Sequence, residues 1–317
     1  MRCAIVGAGG MGGAVAAFLL EGGHDVVLIG RNPEQAAFVR ANGLRVDRPA
    51  MDPLAVRPEA TAEPGTLPAG SIDMLLVLTK SFDTAAAAEA SRGLLAPDGV
   101  AVTMQNGLGN ERALAAAFGA ERTLFGVTTI GGRLLGPGHI AITGLTARGE
   151  SVTQVGPCAA GDAAFAKAND FAAAMSACGL PTDALRDARP AIWAKLAVAA
   201  SGPLGSIVRR PVGELSRSED GRALLRAMLL EVVAVAAAEG VALDADATWA
   251  HAARTWDGTG NYLNSMNVDV LHGRRTEIDA ISGEVLRRGQ QHGLAMPLHE
   301  CAVRMVHLIE TTYASAW

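Results

Sequence analysis

The chain has 317 residues, with 27 Lys and Arg against 32 Asp and Glu, and a formal net charge of −5 at pH 7. Half of the residues are apolar, 19% are charged and 4% are aromatic, a composition typical of a folded α/β protein of about two domains and not of a disordered chain. The acidic balance and the lack of any Lys/Arg cluster argue against nucleic acid as a partner.

Targeting and membrane segments are not expected. A strand-like apolar run begins at Arg2, which leaves no room for a signal peptide after Met1. The most apolar later stretch, Leu224 to Ala238, contains charged residues and is too short to span a bilayer. The four cysteines are scattered and form no CxxC pair, so we expect free thiols in the cytoplasm and no metal site. Since no membrane segment is predicted, we also expect no membrane partner.

Short apolar runs alternate with helical patterns in the first half of the chain. The predicted strands are Arg2–Val6, Val26–Ile29, Met74–Thr79 and Val100–Met104. The predicted helices are Gly10–Glu21, Pro33–Ala41, Thr84–Gly93 and Asn110–Phe118. The Pro-rich stretch from Arg48 to Pro68 predicts short strands and loops. This alternation indicates βαβ units and a mainly parallel, doubly wound sheet of the Rossmann type.

The pattern changes twice after that. From Arg122 to Gly156 Thr, Ile, Val and Gly predict antiparallel strands that close the same sheet, before a helix at Asp162–Ala177 and a short strand near Pro181–Leu185. Further on only helical spacing remains, at Ala191–Ala200, Gly221–Glu239, Thr248–Trp256, Ile278–His292 and His299–Glu310. We therefore predict a Rossmann-type domain over residues 1–187 and an all-helical domain over residues 188–317.

A glycine-rich turn between the first strand and the first helix predicts a dinucleotide site. Its residues are Gly7, Ala8, Gly9, Gly10, Met11 and Gly12, which form a GxGxxG pattern. In such turns the first glycine permits the tight bend, the second lets backbone approach a pyrophosphate, and the third lets the helix pack on the strand. The unpaired N–H groups of the helix N-terminus then face the phosphates.

The end of the second strand indicates which dinucleotide is bound. Enzymes specific for NAD place Asp or Glu there to bind the ribose 2′-hydroxyl, whereas an Arg suits a 2′-phosphate. This chain has Arg31 and no acidic residue at that point. A solvated surface arginine is the alternative, but the pattern favours NADPH.

Four further stretches carry a resemblance to a known family. They are Leu78-Thr79-Lys80-Ser81, Gln105-Asn106-Gly107-Leu108-Gly109-Asn110, Trp193-Ala194-Lys195-Leu196 and Arg274-Arg275-Thr276-Glu277-Ile278-Asp279. In this order, and together with the glycine turn and Arg31, they resemble the ketopantoate reductases, or 2-dehydropantoate 2-reductases. Ser265, twelve residues before Glu277, has the spacing of the family's substrate-binding serine. The resemblance extends over nearly the whole chain.

The resemblance implies that NADPH reduces a 2-oxo acid to a 2-hydroxy acid, with 2-dehydropantoate as the expected substrate. It assigns Lys195 as the catalytic lysine, which would give its proton to the ketone oxygen as negative charge grows there. It assigns Glu277 as the carboxylate that fixes this lysine or contacts the cofactor. Lys80 would lie near the cofactor, and Asn106 between nicotinamide and substrate. Independently of the resemblance, the apolar helix Gly221–Glu239 could serve either the core of the helical domain or a homodimer contact.

Three positions depart from the family pattern. Asparagines that hold the substrate's polar groups in the family are replaced by Ala199, by the stretch Ser201-Gly202-Pro203 and by Val212. Because apolar replacements cannot reproduce amide hydrogen bonds, a different and more apolar 2-oxo acid stays open as the substrate.

Other interpretations also stay open. Lys195 lies in an apolar helical stretch and could be a lysine whose stem covers the core. Glu277 could belong to a solvated charged face, and Ser265 could be a helix cap. For the function, one alternative is a 3-hydroxy-acid dehydrogenase, because such enzymes also combine a GxGxxG domain with a helical domain and a catalytic lysine. Another alternative is a protein that is not an enzyme and binds NADPH as a sensor.

Overall fold

The computed structural model describes residues 1–49, 51–143, 152–260 and 262–313. The strands are β1 (Arg2–Val6), β2 (Asp25–Ile29), β3 (Leu44–Arg48), β4 (Met51–Val56), β5 (Glu59–Thr61), β6 (Ile72–Val77), β7 (Leu95–Thr103), β8 (Thr123–Thr128), β9 (Gly131–Gly136), β10 (His139–Thr143), β11 (Thr153–Pro157) and β12 (Thr182–Ala184).

The helices that accompany and follow these strands are α1 (Gly10–Glu21), α2 (Pro33–Asn42), α3 (Thr84–Ala90), α4 (Asn110–Phe118), α5 (Asp162–Ala177), α6 (Arg189–Ala199), α7 (Gly202–Val208), α8 (Val212–Leu215), α9 (Glu219–Ala238), α10 (Ala245–Thr259), α11 (Ser265–Leu271), α12 (Glu284–Gln291) and α13 (Pro297–Thr311). Four 3₁₀ turns lie at Pro64–Thr66, Ser81–Asp83, Arg92–Leu94 and Ala120–Arg122, and a π-helix at Asp279–Gly283.

The main sheet has eight strands in the order β12-β11-β8-β7-β6-β1-β2-β5. All neighbours run parallel except β8 and β11. Val6 pairs with Ile29 on one side and with Val77 on the other, so β1, β2 and β6 end at the same edge. The chain order reverses on the two sides of β1, and the carboxyl ends of strands at such a point are where open α/β sheets bind ligands.

The predicted closure of this sheet by antiparallel strands is wrong for β9 and β10. These two strands form a separate four-stranded sheet with the order β4-β3-β10-β9, in which β3 and β10 are parallel. Residues 144–151 of the predicted antiparallel region lie outside the described residues. Among the described residues, β11 alone joins the main sheet as an antiparallel strand, against β8.

Helix α1 lies between the two sheets, which explains why it is apolar on all sides. Its residues from Gly12 to Leu19 are buried. They share one core with the main sheet, for example with Ile5, and with the second sheet, for example with Ile140. A side chain at Gly13 would collide with Ile140 at 2.2 Å, so a glycine there permits the second sheet to approach the helix closely. A helix buried on both faces shows no amphipathic stripe.

The chain divides into two compact units. The first contains Met1–Gln105 and Asn110–Ala188, and the second contains Asn106–Gly109 and the chain from Arg189 onward. The short segment Asn106–Gly109 follows β7 in sequence but clusters with the helices of the second unit. Its Leu108 N–H donates to the carbonyl of Ala280 at 2.9 Å.

The regular elements among the described residues of the second unit are all helices. Buried apolar side chains of α6 and α9, such as Trp193 and Leu229, form part of its core. The apolar stretch Arg189–Val208 has the length and composition of a membrane span, but 56% of its 18-residue apolar window is buried in the protein. The core helix of a globular domain has the same character, so this composition is weak evidence for a membrane.

The predicted helices Gly10–Glu21, Asn110–Phe118 and Asp162–Ala177 are confirmed at both ends. The predicted helix Ile278–His292 is observed as the π-helix Asp279–Gly283 followed directly by α12, and the prediction missed only the wider form of its first part. Periodicity alone does not separate these two forms, because one wider turn changes the apolar spacing by a single residue.

Candidate functional site

The glycine turn between β1 and α1 depends on close backbone contacts. Gly7 has a φ of +123°, and a side chain there would lie 2.6 Å from the carbonyl oxygen of Leu78. A side chain at Gly12 would lie 1.9 Å from the carbonyl oxygen of Gly7. By contrast, nothing lies within 4 Å of a side chain built at Gly9. The turn is therefore packed on the protein side and open at Gly9.

The open side coincides with the N-terminus of α1. The helix is capped by Gly9 without any side-chain hydrogen bond, and its first turn contains no acidic residue. A twelve-residue helix without a capping side chain offers unpaired N–H groups and the positive end of its dipole to an anion. The residues present thus fit the pyrophosphate of a dinucleotide.

Gln35 supports the turn and is not apparent from the sequence pattern. It lies in the first turn of α2, and its Nε2 donates to the carbonyl oxygen of Ala8 at 2.8 Å. The same helix is capped by Asn32, whose side chain accepts from the backbone N–H groups of Glu34 and Gln35. Because the cap fixes the start of α2, it also fixes the amide that supports the glycine turn.

Arg31 follows β2 at the edge where β1 also ends. Its side chain is 86% exposed, and its Nη1 donates to Asp83 Oδ2 at 3.1 Å. An exposed ion pair of this kind contributes about 0–1 kcal/mol, so it is readily exchanged for a stronger partner. Gly30 precedes it, and a side chain there would touch the Cβ of Ala8 at 3.0 Å, which keeps this strand end close to the glycine turn.

A second cluster of hydrogen bonds centres on Gln105, the second residue after the carboxyl end of β7. Its Nε2 donates at 2.8 Å to both the carbonyl oxygen of Thr79 and the hydroxyl of Thr84. That buried hydroxyl donates in turn to Asn110 Oδ1 at 3.0 Å. The cluster therefore holds Thr79, the residue before Lys80, and the two residues that flank the segment Asn106–Gly109, which are Gln105 and Asn110. Sequence reasoning identified the motif around Gln105 but missed this network.

Besides Ser265, the second unit contains three predicted site residues, Asn106, Lys195 and Glu277. Lys195 lies on α6, and Glu277 lies two residues before the π-helix. Asn106 belongs to the segment that contacts the carbonyl of Ala280 in the π-helix. The described residues of this unit thus bring the Asn106 segment next to the turn that follows Glu277.

Lys195 and Glu277 interact electrostatically. Burial lowers the pKa of Lys195 to about 8, and the negative charge of Glu277 offsets part of that shift. Glu277 is itself 8% exposed. A lysine with such a pKa can both hold a proton and release it near neutral pH, which is the property required of a general acid.

Ser265 lies at the exposed first position of α11. The cap of that helix is Asn264, whose side chain accepts from Asn267 N–H at 2.9 Å, so the interpretation of Ser265 as the cap is wrong. The amide nitrogen of Asn264 also lies 3.4 Å from the carbonyl oxygen of Gly202, within the stretch where a family asparagine is missing. Ala199 ends α6, and Val212 begins α8 and is buried.

No group of three or more His, Cys, Asp or Glu side chains in the described part of the chain is arranged to hold a metal ion.

Comparisons with known proteins extend over nearly the whole chain. Residues 3–157 match the family described as Ketopantoate reductase PanE/ApbA, and residues 187–310 match its C-terminal family, Ketopantoate reductase PanE/ApbA C terminal. A 2-dehydropantoate 2-reductase of Halobacterium salinarum is 31% identical over 311 residues, which are 98% of this chain and 99% of that protein.

This chain is also similar to solved structures over nearly its whole length. A PanE/ApbA family ketopantoate reductase from Ralstonia eutropha JMP134 is 31% identical, with 99% of both chains covered and a TM-score of 0.86. A D-mandelate dehydrogenase solved with NADH and anilino(oxo)acetate has a TM-score of 0.91 over 99% of both chains. Its identity of 24% makes that likeness one of fold alone. The predicted fold class, a Rossmann-type sheet with a C-terminal helical domain, is confirmed.

Proposed function

Because the chain belongs to the ketopantoate reductase PanE/ApbA family, we propose that it is an NADPH-dependent oxidoreductase that reduces a 2-oxo acid to a 2-hydroxy acid. Its favoured substrate is 2-dehydropantoate, on which the Halobacterium salinarum relative is named to act. The observation that carries the proposal is the pair formed by Lys195 and Glu277. A buried lysine with a pKa of about 8 beside a buried carboxylate is suited to proton transfer at a carbonyl oxygen.

The cofactor would occupy the carboxyl edge of the first unit. The backbone of Gly7, Ala8, Gly9, Gly10, Met11 and Gly12 would bind its pyrophosphate. Arg31 would bind its 2′-phosphate, and Lys80 would lie close to its nicotinamide half. NADPH bound there would supply the hydride that reduces the substrate.

Lys195 would then perform the proton step. As hydride bonds to the carbonyl carbon, the carbonyl π electrons move to the oxygen, and Lys195 Nζ donates a proton to that oxygen. The positive charge of the ammonium also stabilises the oxygen while its negative charge grows. Lys195 is left neutral and regains a proton from solvent. Glu277 would favour the protonated lysine, while Asn106 and Ser265 would orient the substrate.

A more apolar 2-oxo acid is the second candidate substrate. Ala199 and Val212 stand where the family pattern has asparagines, and neither can replace an amide hydrogen bond to a substrate hydroxyl. Recognition of a hydroxyl through hydrogen bonds is typically lost when such a partner is removed.

A substrate panel tests the function and separates these candidates. Purified protein with NADPH is offered 2-dehydropantoate, branched aliphatic and aromatic 2-oxo acids, and 3-oxo acids, and the loss of NADPH absorbance is followed. We expect turnover with a 2-oxo acid, and the acid with the highest kcat/KM identifies the substrate. Turnover with 3-oxo acids alone would instead indicate a 3-hydroxy-acid dehydrogenase, and NADPH binding without any turnover would indicate a sensor.

Arg31→Ala tests the cofactor preference. We expect it to raise the Kd for NADPH by about 10- to 100-fold, because charge-assisted hydrogen bonds to a phosphate contribute about 1.5–3 kcal/mol. The Kd for NADH should change little, since NADH has no 2′-phosphate. Arg92→Ala is the matched control, as Arg92 is also exposed and ion-paired in the first unit but lies in the 3₁₀ turn Arg92–Leu94. Equal weakening of both cofactors by Arg31→Ala would contradict the assignment.

The proposal also includes the roles of the two units, a homodimer contact and the cytoplasm as the compartment. The first unit would be the NADP-binding domain and the second the substrate domain. Leu224 and Leu230 are 41% and 42% exposed on α9, which suits a homodimer contact on the helical unit. The four free cysteines suit the reducing cytoplasm.

A further inference from the structure

The π-helix Asp279–Gly283 follows Glu277 after one intervening residue. Its wide turn is defined by the bond from Gly283 N–H to the carbonyl of Ile278 at 2.8 Å, five residues back. A π turn interrupts the ordinary i→i−4 ladder, so its carbonyls can accept hydrogen bonds from other segments, and such turns are frequent at functional sites. Two contacts of this turn connect it to the elements that carry Asn106 and Lys195.

The first contact is with the segment Asn106–Gly109. Leu108 N–H donates to the carbonyl oxygen of Ala280 at 2.9 Å. Gly107 precedes it with a φ of +85°, and a side chain there would lie 2.2 Å from the same oxygen. Only glycine lets the two backbones approach so closely in this conformation. The position of Asn106, one residue earlier, is therefore tied to the π turn.

The second contact is with the end of the Lys195 helix. Ser282 is fully buried, and its hydroxyl donates to the carbonyl oxygen of Ala200 at 3.1 Å. Ala200 continues the last turn of α6 through its own N–H, which bonds to Leu196 at 2.7 Å. Carbonyls at a helix C-terminus lack intrahelical partners, so Ser282 supplies one for the helix on which Lys195 lies.

We propose that this π-helix is the element that positions the catalytic groups, with Gly107 and Ser282 as positioning residues that hold the Asn106 segment and the Lys195 helix at fixed distances from Glu277. The inference rests on the proposed function for the roles of Asn106 and Lys195. Neither Gly107 nor Ser282 needs to touch the substrate. Their effect is geometric, and a displacement of about 1 Å at a reacting group can cost about 10²-fold in rate.

Gly107→Ala and Gly119→Ala form a matched pair that tests the first contact. Gly119 has a φ of +86°, almost the same as Gly107, but nothing lies within 4 Å of a side chain built there. Both substitutions introduce similar backbone strain, and only Gly107→Ala adds the collision with Ala280, so Gly107→Ala should lower Tm by more. We expect Gly107→Ala to lower kcat for the 2-oxo acid by about 10²-fold, with little change in KM for NADPH, and Gly119→Ala to leave kcat nearly unchanged. Equal kcat values for the two variants would overturn the proposal.

Ser282→Ala and Ser216→Ala test the second contact without using turnover. Ser216 is also buried in the second unit, and its hydroxyl also donates to a backbone carbonyl, that of Gly213 at 3.0 Å. Each protein is labelled at the lysine ε-carbons, and the pKa of Lys195 is measured by NMR. We expect Ser282→Ala to lower that pKa, since the lysine moves away from the carboxylate that favours its charge, and Ser216→Ala to leave it unchanged.

The two tests separate failure of this inference from failure of the proposed function. A wild-type protein that reduces no 2-oxo acid would contradict the function, while the pKa of Lys195 in the serine variants would still decide the positioning role. An active wild type with identical lysine titrations in both serine variants would overturn the positioning role alone. If Ser282→Ala does not fold, the glycine pair decides, and if Gly107→Ala does not fold, the serine pair does.

Discussion

Lys195→Met is expected to reduce kcat for the 2-oxo acid by between about 10²- and 10⁴-fold, the range that a general acid contributes. Methionine has a similar length and fills the same space, but it has neither a proton to donate nor a charge to stabilise the carbonyl oxygen. Since the glycine turn and Arg31 belong to the other unit, the Kd for NADPH should change little. Steady-state rates and NADPH fluorescence titrations measure the two effects.

Two controls make this result specific. Lys167→Met removes a lysine from α5 in the first unit and should leave kcat unchanged. Lys195→Arg keeps the positive charge but holds its proton at every accessible pH, so it should recover little of the rate if proton donation is the essential role. Turnover within tenfold of the wild type in Lys195→Met would exclude Lys195 as the proton donor.

The rate of reduction is expected to depend on pH through the same lysine. The proposed proton donor is the protonated form of Lys195, whose pKa is lowered to about 8, so kcat/KM for the 2-oxo acid should be flat below pH 8. Above pH 8 it should fall about tenfold per pH unit, since only the remaining protonated fraction is active. Oxidation of the 2-hydroxy acid needs the neutral lysine, so its kcat/KM should instead rise towards pH 8 and level off above it.

Glu277→Gln tests the sign of the electrostatic coupling. The carboxylate raises the pKa of Lys195 and so opposes the effect of burial. Its removal in a side chain of nearly the same shape should lower that pKa further, and the descending limb of the reduction profile should move to lower pH. At pH 7 the variant should therefore lose rate even where its substrate affinity is retained. A limb that stays in place or moves to higher pH would contradict the assigned role of Glu277.

The sequence identifies those parts of the fold that depend on local signals. Helix α1 is predicted at both ends because a glycine turn precedes it and a continuous apolar pattern defines it. The neighbouring strand of β10 is not predictable in this way, since the alternation of apolar and polar residues indicates a strand but not the sheet to which that strand belongs. The contact of Gly13 with Ile140, which brings the second sheet onto α1, joins residues more than a hundred positions apart.

In the candidate site, too, the features with local sequence signals are predictable and those that depend on contacts remote in sequence are not. The glycine turn and Arg31 follow from residue chemistry, and Lys195 and Glu277 follow from the family resemblance. The bonds that support them do not, because the amide of Gln105 and the hydroxyl of Ser282 act through partners remote in sequence. The π turn is equally hidden, since its sequence reads as an ordinary helix.

The chain contains only three lysines, Lys80, Lys167 and Lys195, so an NMR titration of protein labelled at the lysine ε-carbons resolves each of them. Lys195→Met assigns the signal by its disappearance. We predict that this signal titrates near pH 8, together with the descending limb of kcat/KM, and that both move to lower pH in Glu277→Gln. A Lys195 signal that titrates at the ordinary lysine value of about 10.4, while the limb lies elsewhere, would contradict it.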